Sequence, residues 1–170
     1  MERRSPAVNV AARAAPDARG VMERTMSVIV VPADTPALRA QAFALRHAVF
    51  VEEQHVPVEL ERDEHDDGAF HAVALEDGRC VATGRLVRQP GGVGRVGRMA
   101  VERAARRRGI GEQILAALEA RAIADGLAEI ELHAQCYVEA FYARAGYRRA
   151  GEPFEEAGIA HVVMRKPLAR

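Results

Sequence analysis

Apolar side chains in the first half of the chain recur with two spacings, one typical of strands and one typical of a helix. Residues 27–32 form a short apolar run that predicts a buried strand. Thr35 and Pro36 are residue types that begin helices. The apolar positions that follow at helical spacing predict one buried stripe, formed by Leu38, Ala42, Leu45 and Val49.

A polar segment separates this helix from a predicted hairpin. Residues 52–67 hold eight acidic side chains and one arginine, and we predict a loop there. Residues 70–76 and 80–88 are apolar runs of strand length. Because Asp77-Gly78 lies between them, and Asp-Gly favours tight turns, the two runs are predicted to pair as a hairpin.

Helices and strands alternate in the second half of the chain. A helix is predicted over 109–125, since apolar residues fall on one side of it and Gly126 can end it. Residues 128–134 alternate between apolar and polar side chains, which predicts a strand. The other predicted elements are a strand at 96–101, a helix at 138–145, and strands near 147–150 and 161–166 that flank a turn at Gly158. This order predicts a mixed α/β fold with one strand–helix–strand crossover near its middle.

The length of 170 residues fits one domain. Residues 1–25 lack periodicity, so we predict a flexible N-terminal extension followed by a single domain over 26–170. No apolar run is long enough for a membrane helix, and a net charge of zero argues against a nucleic-acid-binding protein. Two cysteines are too few for a disulfide framework, which favours a cytoplasmic protein with reduced thiols.

Charge is divided unevenly between two segments. The acidic segment 52–67 contrasts with residues 95–108, which hold six arginines and one glutamate. Opposite local fields of this kind can attract an anionic ligand to one side and a cationic one to the other. An ordinary solvated acidic loop explains the first segment equally well.

An anion site is predicted where the strand at 96–101 leads into the long helix. The N-terminus of a helix offers unpaired N–H groups and the positive end of the helix dipole. Gly109 and Gly111 allow the backbone to approach a ligand closely, and Arg106–Arg108 add positive charge. A phosphate or pyrophosphate is the ligand that such a segment favours.

Two common phosphate loops do not fit this segment. A Walker A loop needs a lysine after its glycine, and the one lysine of the chain is Lys166. The dinucleotide fingerprint needs a glycine at position 114, which is Ile114. The pattern that remains is Arg-x-x-Gly-x-Gly over 106–111, between a strand and a helix.

This segment resembles motif A of the GNAT superfamily of acetyl-CoA-dependent N-acetyltransferases, and Phe141-Tyr142-x-x-x-Gly146-Tyr147 resembles the late helix–strand motif of that family. Similarity to its ElaA-like branch is found at Arg46-x-x-Val49-Phe50-Val51-x-Glu53-Gln54, at Asp63 and Asp66, at Ala134-Gln135, and at Gly158-Ile159-x-His161. The resemblance implies a GNAT-like fold, in which a central, mostly antiparallel mixed sheet contains a splayed strand pair and is flanked by helices.

The resemblance also implies positions for the cofactor. Backbone groups of Met99, Ala100 and Val101 would pair with the pantetheine arm of acetyl-CoA, and the Val101 N–H would lie near the thioester carbonyl. The pyrophosphate would be bound at the start of the helix by Arg106, Arg107, Arg108, Gly109, Ile110, Gly111 and Glu112. Acetyl-CoA is then a co-substrate, and no metal is expected.

Acetyl transfer to an amine requires a base and an acid. An alkylammonium has a pKa of roughly 10.4 and must lose a proton before it attacks, whereas the departing thiolate must gain one. The resemblance assigns the acid role to Tyr142. Glu131 and His133 share one strand face and are candidate bases, and His71 and His161 are further candidates. The acceptor site is expected to include Glu53, Gln54, His71, Gln135 and His161.

The implied function is transfer of an acetyl group from acetyl-CoA to a primary amine of a small molecule or peptide. Two alternatives remain open: a CoA-binding module without transferase activity, and an acyl-homoserine-lactone-type acyltransferase on the same fold. The resemblance also leaves open a homodimer through the terminal strands. Acceptor loops vary within one fold, so the acceptor does not follow from the fold.

Overall fold

Eight strands form one sheet in the computed structural model, which describes residues 27–169. The strands are β1 (Val28–Pro32), β2 (Phe70–Glu76), β3 (Arg79–Gln89), β4 (Val93–Val101), β5 (Glu129–Gln135), β6 (Arg148–Arg149), β7 (Phe154–Glu156) and β8 (Ile159–Pro167). Their order is β1-β2-β3-β4-β5-β8-β6, and β7 pairs with β8. The predicted flexible extension, residues 1–25, lies outside the described residues.

Four α-helices accompany the sheet: α1 (Pro36–Arg46), α2 (Val58–Glu61), α3 (Ile110–Ala124) and α4 (Glu139–Arg144). Helix α1 begins as predicted, since the Thr35 hydroxyl accepts a hydrogen bond from the Leu38 N–H at 3.1 Å. It continues as a π-helix over His47–Glu53. Short 3₁₀ turns lie at Pro90–Gly92, Arg103–Ala105 and Cys136–Val138.

The sheet separates two apolar clusters. On one face, the buried side of α3, which includes Ile114 and Leu118, packs against alternate residues of the central strands such as Val96 and Leu132. On the other face, Leu45 of α1 belongs to a smaller cluster. The predicted mixed α/β class and mostly antiparallel sheet are therefore confirmed, and the predicted crossover is the parallel pair β4–β5 connected by α3.

Three element predictions differ from the structure. The segment 52–67 is not a continuous loop, because the π-helix extends to Glu53 and α2 follows. The strand predicted at 147–150 is reduced to Arg148–Arg149. Strand β7 was not predicted, although its hairpin with β8 turns at Gly158, where a turn was expected. Short elements carry too few periodic positions to be recognised from a sequence.

Part of the acidic segment is neutralised by buried arginines. Arg46 is fully buried and its guanidinium donates to Glu61 Oε1 at 2.5 Å and to Asp66 Oδ1 at 2.7 Å. Arg85 donates to Asp63 at 2.7 Å and to Asp66 at 2.9 Å. Because three of the eight acids are bound in this way, the segment offers less charge for attracting a cation than its composition suggests.

Strands β4 and β5 separate after a short paired stretch. Their parallel register runs from Val93↔Glu129 to Val96↔Leu132 and ends there. Just beyond it, β4 contains a bulge, where Arg98 has a positive φ of 52° and the register with β3 shifts. A bulge bends and twists its strand. The ends of β4 and β5 therefore border an open cleft, which is the splayed strand pair that the resemblance implied.

Candidate active site

The loop before α3 places unpaired backbone N–H groups at one end of this cleft. Gly109 has a φ of 76°, a left-handed conformation that favours glycine, and α3 begins at Ile110, whose buried side chain anchors the first turn. No side chain caps this terminus. A Cβ at Gly111 would lie 3.4 Å from the Phe141 ring. Because this position has no side chain, the Phe141 ring can pack closely against the first turn of α3. The first turn of α3 is therefore suited to an anion.

Two of the three arginines before this turn already have partners. Arg106 donates to Glu53 Oε2 and to the Val101 carbonyl, both at 2.9 Å. Arg108 donates to Glu76 Oε1 at 2.5 Å. The Arg107 side chain makes no hydrogen bond or ion pair with any residue in 27–169, and its backbone φ is 63°. A ligand at the loop would meet an Arg107 side chain that has no partner among residues 27–169, and it would have to share Arg106 with Glu53.

Over the last residues of β4, the edge of the strand on the β5 side is unpaired and faces the cleft. The Glu102 N–H donates to the Val81 carbonyl on the β3 side at 2.8 Å. Because backbone groups alternate between the two edges of a strand, the N–H of Val101 points to the β5 side. The Val101 side chain and that of Met99 pack against the α3 cluster, whereas Ala100 belongs to the cluster on the α1 face.

Tyr142 lies on α4, next to Phe141, whose ring contacts the first turn of α3 at Gly111. Its ring is 5.0 Å from that of Phe141 and 5.9 Å from that of Tyr147, both edge-on. The residue is only 8 % exposed, and its hydroxyl finds no hydrogen-bond partner in the part of the chain that the structure describes. Burial raises the pKa of this phenol well above its ordinary value, so the hydroxyl stays protonated at neutral pH.

A ring of hydrogen bonds crosses the open end of the cleft. Gln135, the last residue of β5, donates from Nε2 to Gln54 Oε1 at 2.8 Å. Gln54 in turn donates to the Tyr137 hydroxyl at 3.1 Å, and that hydroxyl donates to Gln135 Oε1. Glu53, next to Gln54, is bound by Arg106. The residues predicted at positions 53, 54 and 135 to bind the acceptor amine therefore lie close together. Tyr137, which was not predicted, lies beside them.

The two candidate bases on β5 have different surroundings. Glu131 lies where β4 and β5 are still paired, and it accepts hydrogen bonds from Arg95 at 2.6 Å and forms an ion pair with Arg165 at 2.7 Å. Burial raises its pKa, but the Arg95 hydrogen bond and the two positive charges outweigh burial and lower the pKa below its usual value. His133 lies one residue beyond the last β4–β5 pair, on the same face as Gln135.

The other two histidines lie far apart in the fold. His161 on β8 pairs in register with Gln135, so it lies beside the acceptor residues. His71 is buried on β2, where its Nε2 donates to the Asp66 carbonyl at 2.8 Å and its ring meets Phe43 of α1. Burial lowers the pKa of His71. The structure therefore does not bring His71 to the cleft with the other predicted residues.

Comparison with known proteins agrees with this geometry. The family model described as an acetyltransferase (GNAT) domain matches residues 34–168. The chain belongs to the GNAT acetyltransferase family. The uncharacterized N-acetyltransferase YjcF of Bacillus subtilis is 39% identical over 126 residues, which are 74% of this chain and 89% of that protein.

Solved GNAT structures superpose over most of the chain. An acyl-CoA N-acyltransferase from Pseudomonas aeruginosa is 30% identical with a TM-score of 0.74, covering 82% of this chain and 99% of that one. Escherichia coli ElaA has the same TM-score and coverage at 23% identity, which establishes a shared fold. The expected GNAT fold and the resemblance to ElaA are confirmed.

Within residues 27–169, no group of three or more His, Cys, Asp or Glu side chains could hold a metal ion. No helix there is long and apolar enough to cross a membrane.

Two residues beside the candidate site were not predicted from the sequence. They are Tyr137, which is exposed in a 3₁₀ turn, and Glu156, which lies on the unpredicted strand β7.

Proposed function

We propose that this protein transfers the acetyl group of acetyl-CoA to a primary amine by direct attack in a ternary complex. The observation that carries the proposal is the unpaired edge of β4 on the β5 side, which is followed, after the 3₁₀ turn at Arg103–Ala105, by an α3 N-terminus that no side chain among residues 27–169 caps. The strand edge can bind the amides of the pantetheine arm, and the N–H groups of the helix terminus can bind the pyrophosphate of the cofactor.

In this proposal the cofactor occupies the α3 side of the cleft. The backbone of Met99 and Val101 pairs with the pantetheine arm, and the Val101 N–H polarises the thioester carbonyl. The turn from Gly109 to Glu112 binds the pyrophosphate, and Arg107 supplies a free positive charge there. Ala100 lies between Met99 and Val101, so its backbone groups point toward β3 rather than toward the cofactor.

Tyr142 is the proposed acid. The amine nitrogen forms a bond to the carbonyl carbon, the carbon–sulfur bond breaks, and the departing thiolate takes the phenol proton. A hydroxyl that is almost buried, protonated and without a protein partner is suited to this role, because its proton is free for a ligand. The acceptor enters on the other side of β4 and β5, where Glu53, Gln54, Gln135 and His161 lie.

Calorimetric titration with acetyl-CoA tests the cofactor site. Wild-type protein should bind, and Gly111→Trp should not, because the indole would displace Phe141 and cover the first turn of α3. Gly68→Trp is a matched control, since a side chain at exposed Gly68 meets no atom within 4 Å and the residue precedes β2. Retained folding of each variant is checked by its thermal unfolding.

A panel of primary amines, followed by release of the CoA thiol, tests the reaction itself. Turnover of at least one amine supports the transferase. Binding of acetyl-CoA without turnover of any amine would instead favour a CoA-binding module without activity. Absence of binding in both wild type and Gly111→Trp would contradict the proposal as a whole.

A further inference from the structure

The hairpin of β7 and β8 brings one carboxylate between two histidines beside the cleft. Glu156 Oε1 lies 3.3 Å from His133 Nδ1, and Glu156 Oε2 lies 3.8 Å from His161 Nε2. Phe154, on the same short strand, packs edge-on against the His133 ring at 5.1 Å and stacks on the His161 ring at 6.0 Å. The His133 ring is therefore held from two sides by residues of β7.

Both histidines donate from Nδ1, and they differ in what lies near Nε2. Since a carboxylate only accepts hydrogen bonds, His133 donates from Nδ1 to Glu156, which leaves Nε2 as the acceptor nitrogen of the neutral ring. This Nε2 has no hydrogen-bond partner within residues 27–169, and the side chain is 26% exposed. His161 donates from Nδ1 to the Ile159 carbonyl at 2.7 Å and turns its Nε2 toward Glu156.

Position also favours His133. It follows the last pair of β4 and β5 directly, so it stands where the cleft opens, whereas Glu131 lies in the paired part and is bound by two arginines. Its side chain shares a face with Gln135 and is opposite the α3 side on which the cofactor is proposed to lie.

We infer that His133 is the base that deprotonates the acceptor ammonium, and that Glu156 is the residue that positions it. The inference rests on the proposed function. Glu156 fixes the tautomer with Nε2 free, holds the ring toward the cleft, and stabilises the imidazolium that forms. A carboxylate behind a histidine is an arrangement that serves each of these purposes.

The proton balance is complete without a further reactant. His133 Nε2 takes one proton from the ammonium and later releases it to solvent. The neutral amine forms the new carbon–nitrogen bond, and the carbon–sulfur bond of the thioester breaks. The second proton lost by the nitrogen balances the one that Tyr142 gives to the thiolate. The sum is ammonium plus acetyl-CoA giving amide, free CoA and one proton.

Several charged groups surround the His133 ring. Glu156 and His161 face it from the β7–β8 hairpin, and Glu131 precedes it on β5 with its charge offset by Arg95 and Arg165. Arg98 of β4 acts on Glu156 from across the cleft. The hydrogen bond from His133 is the largest cause that lowers the pKa of Glu156, so this carboxylate stays ionised behind the ring. Glu156 is the negative charge in direct contact with the imidazole.

Glu156→Gln tests the positioning role, with Glu155→Gln as its matched control. Glu155 is the neighbouring exposed carboxylate on β7, and it makes no hydrogen bond or ion pair with the residues described. For the amine with the highest rate in the panel, kcat should fall about tenfold in Glu156→Gln, because the base is no longer held in one tautomer, while the KM for acetyl-CoA stays unchanged.

His133→Asn should lower kcat about 100-fold, as expected for removal of a general base. Wild-type rates in both Glu156→Gln and Glu155→Gln would overturn the inference while leaving the transferase intact. Failure of wild-type protein to acetylate any amine would instead contradict the proposed function.

Nitrogen-15 NMR of the His133 ring gives a readout that does not depend on turnover. In wild type the neutral ring, assigned by comparison with His133→Asn, should carry its proton on Nδ1, whereas Glu156→Gln should show both tautomers, because an amide can donate to Nδ1 as well as accept from it. Glu155→Gln should match wild type. The same tautomer in all three proteins would show that Glu156 does not position the ring, and would overturn the inference even where no acceptor amine has been found.

Discussion

Gln135 donates a hydrogen bond to Gln54 over 2.8 Å, and this contact joins the two sides of the open cleft. Gln54 follows the π-helix that continues α1, whereas Gln135 ends β5. The neighbouring Glu53 accepts from Arg106 of the loop before α3 at 2.9 Å, so hydrogen bonds join the proposed acceptor side to the proposed cofactor side.

Gln135→Leu should weaken use of the amine without affecting the cofactor. The leucine removes the bond to Gln54, which contributes about 1 kcal/mol, so the KM for the amine should rise roughly fivefold. Acetyl-CoA affinity by calorimetry should stay at the wild-type value. Gln89→Leu, at the far end of β3, is the matched control and should leave both quantities unchanged. An unaltered KM in Gln135→Leu would exclude this residue from the acceptor site.

Tyr142→Phe should reduce kcat about 100-fold or more, because it removes the proton donated to the thiolate. Acetyl-CoA affinity should be retained, and stability should change little, since the Tyr142 hydroxyl has no partner among the described residues. Tyr147→Phe is the comparison: it loses the hydrogen bond from its hydroxyl to Glu119 at 3.0 Å and should cost about 1 kcal/mol of stability with normal turnover. Normal turnover in Tyr142→Phe would remove this residue from the mechanism.

Asp66→Asn should destabilise the fold by about 3 kcal/mol, since it leaves the buried guanidinium of Arg46 short of a counter-charge. Although burial raises the pKa of Asp66, the hydrogen bonds from Arg46 and Asp63 and the charge of Arg46 lower it far below its usual value. A depressed pKa gives stability that is complete above the unfolded-state pKa of about 4 and is lost as the pH falls below it.

Urea unfolding at pH 7, 5 and 3.5 measures both effects of Asp66. The free energy of unfolding of wild type should decline between pH 5 and 3.5, and the decline should be smaller in Asp66→Asn, which has no carboxyl to protonate at this position. Asp67→Asn, an exposed neighbour, is the control and should follow wild type. Parallel curves for wild type and Asp66→Asn would contradict the role assigned to this carboxylate.

The two cysteines should react at very different rates. Burial raises the pKa of the Cys80 thiol to about 11, so almost no thiolate is present at pH 8. Cys136 is half-buried in the turn after β5. A disulfide reagent at pH 8 should therefore modify one thiol rapidly in the native protein and two in urea. Cys136→Ser should lose the rapid phase, and a rapid phase that persists in that variant would contradict this assignment.

Much of the cofactor side follows from local sequence. The strand, the Arg-x-x-Gly-x-Gly segment and α3 are contiguous, so their conformations depend on preferences within a few residues: glycine at a positive φ, an apolar stripe at helical spacing, and a helix terminus with unpaired N–H groups. For the same reason, the sequence alone predicts the glycine turn in residues 106–111 and the helix that follows it. The β2–β3 hairpin was predicted equally well, because Asp77-Gly78 favours the turn that the structure contains.

The acceptor side depends on residues that are distant along the chain. Gln54 and Gln135 are 81 positions apart, and Glu156 reaches His133 only because β7 and β8 turn back beside β5. Neither contact has a local signal. The partners of Glu131 could not be predicted from the sequence either. Glu131 shares a strand face with His133, but the register of β5 with β4 and β8 places Arg95 and Arg165 against it. Alternation along one strand shows which of its residues share a face. The charges that surround those residues depend on how the strand pairs with its neighbours. That pairing is decided by the packing of the whole sheet, which a single strand does not reveal.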